Sequence, residues 1–262
     1  MKGILKAAVV GGIILAIGIV LLVIGLALND WKFRENIKFE YSAFTAENPS
    51  AKLVADMDAG ELKIERYDGD RILIEYPVAK NFNTEISEND GVLYFKSPRR
   101  VWYKNFWNFY TLPLITIKIP QNSVIDLELD VDAGTAEIAA GAYGRIDVNM
   151  DAGTVKTGSL VCTDFNLDMD AGKADMEEIS CSSLTADLDA GAADLKKVTA
   201  VSSNFKISAG SLNASFTGSE SEYGISKKVS AGSTNLQEHA GTTDKTIYAR
   251  ISAGSLTVRF DS

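Results

Sequence analysis

Carboxylates recur at a fixed spacing through the second half of this 262-residue sequence. Asp132, Asp151, Asp170 and Asp189 stand 19 residues apart, each followed by Ala-Gly, and Glu128, Asp130, Asp147, Asp168 and Asp187 fall two or four residues ahead of them. In an extended chain, residues at alternate positions share a side. Copies one repeat apart would then stack ~4.8 Å from each other. Three chemistries suit such an acidic face. Asp132, Asp151, Asp170 and Asp189 could ligate a divalent cation, Ca²⁺ above all, which takes about six to eight oxygens. Paired carboxylates could act as acid and base on a glycosidic bond. Asp could also close a tight corner by accepting from backbone N–H groups, which Ser does too. The change to Ser208, Ser230 and Ser252 in the later copies favours the corner role. The nonapeptide Ca²⁺ repeat has a period of about nine with paired glycines, and this chain has neither. Exposed carboxylates at this separation repel by only ~1 kcal/mol per pair in water, so the ladder is tolerable without a ligand.

A second cluster is aromatic and basic: Arg99, Arg100, Trp102, Tyr103, Trp107 and Tyr110, within a stretch where six of the nine residues from Trp102 to Tyr110 are aromatic. It would cover the open end of a repeat array, lie on a membrane interface with its cations on anionic lipid, or form a hot spot for a protein or glycan. Catalysis finds little else. The single histidine, His239, reads as a surface residue, and the sequence has no Cys/His metal cluster, phosphate loop or nucleophile motif. No cofactor is implied.

What positions the acidic residues is a repeat. Eight copies of Asp/Ser-Ala-Gly end at Gly60, Gly134, Gly153, Gly172, Gly191, Gly210, Gly232 and Gly254, and from Gly134 the spacings are 19, 19, 19, 19, 22 and 22. A fixed period of this size marks a solenoid. Positions are counted from one after each glycine. Sixteen holds Met150, Met169, Leu188 and Ile207; fourteen holds Val148, Leu167, Ala186 and Phe205; twelve holds Ile146, Phe165, Leu184 and Ser203. Eighteen, the corner Ala, continues this alternation, which is that of a strand with one face buried. Positions two and four, and seven and nine, supply two shorter inward segments. Nineteen residues with no room for a helix predict an all-β, parallel β-helix in which apolar columns stack, each buried side chain worth ~1.5–3 kcal/mol. The corner glycine is expected at positive φ. The coils are expected to stack in chain order, six from Gly134 and then a closing strand, Ser255 to Phe260. The divisions are residues 1–30, an N-terminal transmembrane anchor; 31–52, a linker and entry strand; 53–133, irregular first coils with an aromatic insertion at 80–113; and 134–262, the regular β-helix.

The anchor rests on residues 7–28, 22 consecutive uncharged and mostly apolar positions. They reach ~33 Å as a helix, enough for a hydrocarbon core of ~30 Å. This exceeds the h-region of a cleaved signal peptide, ~7–15 residues. Lys2 and Lys6 before it balance Lys32, Arg34 and Lys38 after it, so charge does not orient the helix. The formal net charge of −9 argues against nucleic acid. Cys162 and Cys181 lie one repeat apart, in one column, as two small buried residues whose parallel side chains suit a disulfide dihedral poorly.

Two stretches carry a family likeness: AKLVADMDAGELKIERYDGDRILIEY (51–76) and LITIKIPQNSVIDLELDVDAGTAEI (114–138). Each pairs an alternating strand with the Asp-x-Gly corner, and the second adds an Ile-Pro turn. The chain resembles the bacterial putative-adhesin family, a membrane-anchored β-strand-repeat domain of unknown function, over residues 38–262. The resemblance implies a right-handed β-helix displayed outside the cell membrane from a single anchor. Adhesion, or interaction with a protein or glycan, is the function expected. Envelope-stress sensing and polysaccharide cleavage are the alternatives. The family's motifs are structural and carry over no active-site residue.

Overall fold

The computed structural model describes residues 40–78, 84–97 and 114–261. The expected anchor at 7–28 and the aromatic cluster Arg99, Arg100, Trp102, Tyr103, Trp107 and Tyr110 lie outside the described residues. Among the described residues, no helix is long and apolar enough to cross a membrane. All of them fall in one compact unit, and it is all-β.

The unit is a stack of parallel rungs. β1 (Glu40–Thr45), β2 (Lys52–Tyr67), β3 (Leu73–Val78), β4 (Glu85–Asn89), β5 (Val92–Lys96) and β6 (Leu114–Pro120) precede the regular array. β7 (Asp126–Ile138), β8 (Gly141–Ala142), β9 (Arg145–Val161) and β10 (Asp164–Ile207) form it. β7 pairs β9 in parallel, Leu127 with Ile146 and Gly134 with Gly153, and β9 pairs β10 at the same 19-residue offset, Ile146 with Phe165. The apolar columns stack as the alternation requires. Ile146, Val148 and Met150, and then Phe165, Leu167 and Met169, are all buried. Val155 and Leu160 line the other two sides of their rung, and Ala174, Met176 and Ile179 those of the next. Thr157 and Ser203 intrude into this dry column set, and their hydroxyls find no partner.

Two features of the corner differ from expectation. The corner alanines from Ala133 onward, Ala152, Ala171 and Ala190 among them, are exposed. The chain turns just before them, so the inward alternation ends at position sixteen. Positive φ occurs at Gly60, Gly134, Gly153 and Gly172, but not at the other four corners. What all the stacked corners share is close approach. A Cβ on Gly153 would lie 2.0 Å from the Gly134 carbonyl oxygen, and one on Gly210 would lie 2.6 Å from that of Gly191. The corner backbones pass too near each other for any side chain.

The rungs do not stack in chain order at either end. β11 (Ser211–Thr217) pairs β10, as expected. After it come β12 (Gly224–Val229), β13 (Ser233–Thr234), β14 (Thr246–Ile251) and β15 (Ser255–Asp261). β14 pairs β10 on one side and β12 on the other, and β15 lies between β11 and β13. The last rung of the chain is therefore inserted inside the stack, and the 22-residue coil before it becomes the outer one. This corrects the expected closing strand. The reason lies in apolar content. Ile247, Ala249, Ile251, Leu256 and Val258 fill every inward position of the last rung, whereas the outer coil offers Ile225 and Leu236 and is plugged by Tyr223. Phe216, Tyr223 and Phe260 pack there with ring centroids 5.3 to 6.0 Å apart. At the other end β2 is the inner rung, between β7 and a composite outer rung of β5 and β6. β4 closes over β5, and β3 and then β1 extend from β6, all antiparallel.

Two outcomes follow. Gly153→Ala forces a Cβ into the Gly134 carbonyl at a φ of 148°. It should destabilise by roughly 1–3 kcal/mol or more, read as a lower thermal midpoint by circular dichroism, with exposed Ala152→Ser as an unaffected control. In native-state hydrogen exchange, the amides of Ile247, Ala249 and Ile251 should outlast those of β12, although both lie in the last 40 residues of the chain.

Candidate functional site

Two outward faces flank the glycine corner, and the same repeat builds both. The pre-corner face carries positions thirteen, fifteen and seventeen; the post-corner face carries positions one, three and five.

On the post-corner face, opposite charges meet between most neighbouring rungs, with Asp175 and Asp194 the exception at position three. Glu137 lies 3.8 Å from Lys63 on one side and 3.4 Å from Lys156 on the other. Lys196 bridges Asp175 at 3.0 Å and Glu177 at 2.5 Å, and Lys197 meets Glu178 at 2.6 Å. These cations hold the Asp175 and Glu178 carboxyls below their ordinary range, each mainly through a lysine hydrogen bond. Singly, such exposed pairs add little stability, but together they leave this face near neutral. A shallow hollow of about 380 Å³ opens on it between Lys63, Glu137 and Lys156, where Gly158 brings no side chain.

The pre-corner face segregates its charge. Position fifteen, read along the stack, is Lys96, Asp56, Asp130, Asn149, Asp168, Asp187, Lys206, Arg250 and Lys228. Position seventeen runs through Asp132, Asp151, Asp170 and Asp189 and then through Ser208, Ser252 and Ser230. Among the described residues, the ion pairs of this face are Lys52 with Glu128 at 2.6 Å, Arg145 with Asp147 at 2.8 Å, Lys206 with Asp187 at 2.5 Å, and Lys96 with Asp56. Asp130, Asp132 and Asp168 have no ion-pair partner among the described residues. Burial, then Asp56 and Asp151, raise the Asp130 carboxyl above its usual range. Burial, then Asp58 and Asp151, do the same for Asp132. Burial, then Asp187 and Asp170, raise Asp168.

The corner role expected for position seventeen is not what these side chains do. Among the described residues, the carboxylates of Asp132, Asp151, Asp170 and Asp189 and the hydroxyls of Ser208, Ser230 and Ser252 make no hydrogen bond. Backbone groups of adjacent rungs satisfy the corner instead: Ala209 N–H donates to Asp189 O at 2.7 Å, Ala231 to Ser252 O at 2.7 Å, and Ala253 to Ser208 O at 2.8 Å. Nor do the carboxylates converge. No three His, Cys, Asp or Glu side chains among the described residues form a set that could hold a metal ion. They stand in parallel rows, outward, as a charged surface and not a cage.

The two cysteines and the histidine singled out in the sequence are structural. Cys162 is buried and Cys181 half-buried, on adjacent rungs, and both are free thiols. His239 pairs its backbone with Ile225 and sets its two ring nitrogens 3.0 Å from Gln237 O and 3.2 Å from Glu220 O, pinning the outer coil. One residue of consequence gave no signal in the repeat. Arg66 donates to Pro120 O at 3.0 Å, Ser123 O at 2.8 Å and Ala142 O at 2.5 Å, and lies 4.2 Å over the Tyr143 ring. It clamps the first rung to the array, and its equivalents at position six, Ala140, Ser159, Glu178 and Lys197, do not repeat it.

The carboxyl shifts set opposite pH trends. Asp130, Asp132 and Asp168 have folded pKa values above their unfolded ones. Their ionisation therefore weakens the fold, and the penalty disappears as pH falls through the raised folded values. Asp175, Glu178 and Glu222 are lowered, so their contribution holds above the ordinary carboxylate range and is lost below it. Thermal midpoints should rise slightly on mild acidification from pH 7 and drop only below about pH 4. Asp168→Asn should raise the midpoint at pH 7 and flatten the first of these trends.

Comparison with known proteins agrees with this architecture. No curated protein matches the sequence. Among solved structures, a protein described as a putative lipid binding protein from Parabacteroides distasonis ATCC 8503 is similar at 14% identity and a TM-score of 0.52, over 86% of this chain and 98% of that one. A putative adhesin from Parabacteroides merdae ATCC 43184 shares 13% identity over 86% of this chain and 98% of that one, TM-score 0.49. Another, from Bacteroides fragilis NCTC 9343, shares 12% over 88% and 100%, TM-score 0.47. Such identities speak to fold and not to activity. A family model, Toastrack DUF4097, matches residues 51–261, which is nearly the whole rung stack. The chain belongs to the Toastrack family DUF4097.

Proposed function

We propose that the protein is a membrane-anchored, non-enzymatic scaffold of the cell envelope whose solenoid offers its pre-corner face to a partner carrying complementary charge. The observation that carries this reading is the contrast between the two faces. One repeat builds both, yet one is neutralised mostly by ion pairs between rungs and the other keeps like charges in blocks. Stability alone favours the first arrangement; segregated, unpartnered charge is what a recognition surface needs. The unbonded position-seventeen carboxylates remove the structural explanation for that acidity. The apolar run at 7–28 supplies the anchor, and the solenoid would stand outside the membrane. Arg99, Arg100, Trp102, Tyr103, Trp107 and Tyr110 form a second candidate contact, toward a protein, a glycan or the membrane interface.

Two variants of equal charge change test the face. In one, Asp132, Asp151, Asp170 and Asp189 all become Asn; in the other, Glu61, Glu137, Glu177 and Glu178 all become Gln. With full-length protein in detergent, binding of a lysine-rich peptide should weaken about tenfold or more in the first and less than about twofold in the second. Equal losses would reduce the effect to net charge and overturn the assignment of the face. Hydrolysis of cell-wall or pectin-type polymers that disappears in Asp151→Asn or Asp170→Asn would overturn the non-enzymatic reading.

A further inference from the structure

Position fifteen of the three C-terminal rungs is basic throughout. The order of those rungs sets Arg250 between Lys206 and Lys228, so three cations occupy successive rungs. Among the described residues, neither Arg250 nor Lys228 makes an ion pair; Lys206 meets Asp187 at 2.5 Å. The same rungs carry Ser in place of Asp at position seventeen. The pre-corner face thus holds an acidic block and, directly along the stack, a basic block bearing free hydroxyls.

We propose that this face pairs with the same face of a second copy of the chain, in antiparallel orientation, acidic block against basic block. The inference rests on the pre-corner face being a binding surface, and it names the partner. A two-fold axis parallel to the strands, passing between the rungs of Asp187 and Lys206, is sufficient. Each position then faces its own column, and each rung meets the one equally far across the axis. Arg250 falls opposite Asp168 of the second copy, and Lys206 opposite Asp187. Lys228 falls opposite Asn149, between Asp147 and Asp151. At position seventeen, Ser208, Ser252 and Ser230 fall opposite Asp189, Asp170 and Asp151, so three unbonded hydroxyls meet three unbonded carboxylates. Every such contact joins a donor or cation to an acceptor, on six consecutive rungs. A parallel pairing in register would set like charge on like.

Charge complementarity is also what argues against a polyanion on the basic block. The chain's net charge is −9, and most of the face around that block is carboxylate. A dimer satisfies both blocks at once. Its size fixes its strength. Six rungs at ~4.8 Å and strands of ~20 Å give about 580 Å² per copy, near the lower limit for a specific interface. The patch has no apolar centre, so the pairing is weak and salt-sensitive. The two chains enter their solenoids from opposite ends.

Sedimentation velocity of the full-length chain in detergent, across concentration and salt, tests this. A reversible dimer is expected at about 50 mM salt, weakened about tenfold or more at about 500 mM. Arg250→Glu and Asp168→Arg should each abolish it, and the two together in one chain should restore it. Circular dichroism confirms that each variant is folded, and Lys228→Glu serves as a second single variant. A dimer indifferent to salt and to these substitutions, or a monomer throughout, overturns the pairing. The lysine-rich peptide then separates the two readings. A monomer that still binds the peptide through Asp132, Asp151, Asp170 and Asp189 loses only the self-pairing. One that does not bind it loses the binding face as well.

Discussion

The whole structure depends on how closely the chain passes itself at each Ala-Gly corner. Adjacent corner backbones are so near that a methyl group on one would sit 2.0 to 2.9 Å from the carbonyl oxygen of the next. That approach has two effects. It excludes every residue except glycine from the column, and it fixes neighbouring rungs in register, because a slip of one residue would drive a Cβ into a carbonyl. Once register is fixed at one point per turn, all the other columns follow from counting. The apolar columns meet in one dry interior, and the outward columns become continuous rows along the surface.

Register has a price for charged residues. In a solenoid whose copies resemble each other, an outward Asp is stacked on another Asp unless the copies diverge. The post-corner face has diverged: Lys63, Glu137, Lys156, Asp175 and Lys196 bring opposite signs to neighbouring rungs. The pre-corner face has not, and its central carboxylates are pushed upward by burial first and then by one another. With ~1 kcal/mol of repulsion per pair in water, a core of stacked Ile, Leu, Met and Phe columns carries this load easily. The stability of the interior is what lets one surface remain electrostatically unsatisfied, and so available to something outside the chain.

This division explains which parts were legible from the residues. The period and the buried columns could be read off because each inward position is sampled several times, so a single exception such as Ser203 does not hide the pattern. The face carrying the acidic residues followed from the same alternation. The exposed corner alanines did not, because alanine is apolar yet tolerates solvent, and hydropathy cannot distinguish the two. The role of position seventeen is hidden for a related reason. Asp and Ser both cap turns, and only the backbone bonds at Ala209, Ala231 and Ala253 reveal that the corner needs no cap. Arg66 was invisible because a clamp made once has no period.

The order of the end rungs lay beyond any counting argument, since strands 22 and 44 residues apart fit the same register equally well. What selects between them is the fate of the exposed edge. A solenoid must end somewhere, and its last rung leaves one side of its core and its backbone groups uncovered. Placing the most apolar segment inside, and the coil with Lys227, Lys228, His239 and an aromatic plug outside, leaves the poorer segment at the edge. The opposite end uses the same device: β2 lies inside, and a composite rung with antiparallel strands lies outside. Both ends therefore depend on contacts between distant parts of the sequence, while the middle depends on contacts 19 residues apart. Loop closure is less costly over the shorter separation, so the central rungs provide the template on which the ends can close. Lys206, Lys228 and Arg250 share position fifteen in either order, so the repeat supplies the basic row as it supplies the acidic one. The insertion decides their sequence along it, holding Arg250 inside the stack and leaving Lys228 at the outer edge.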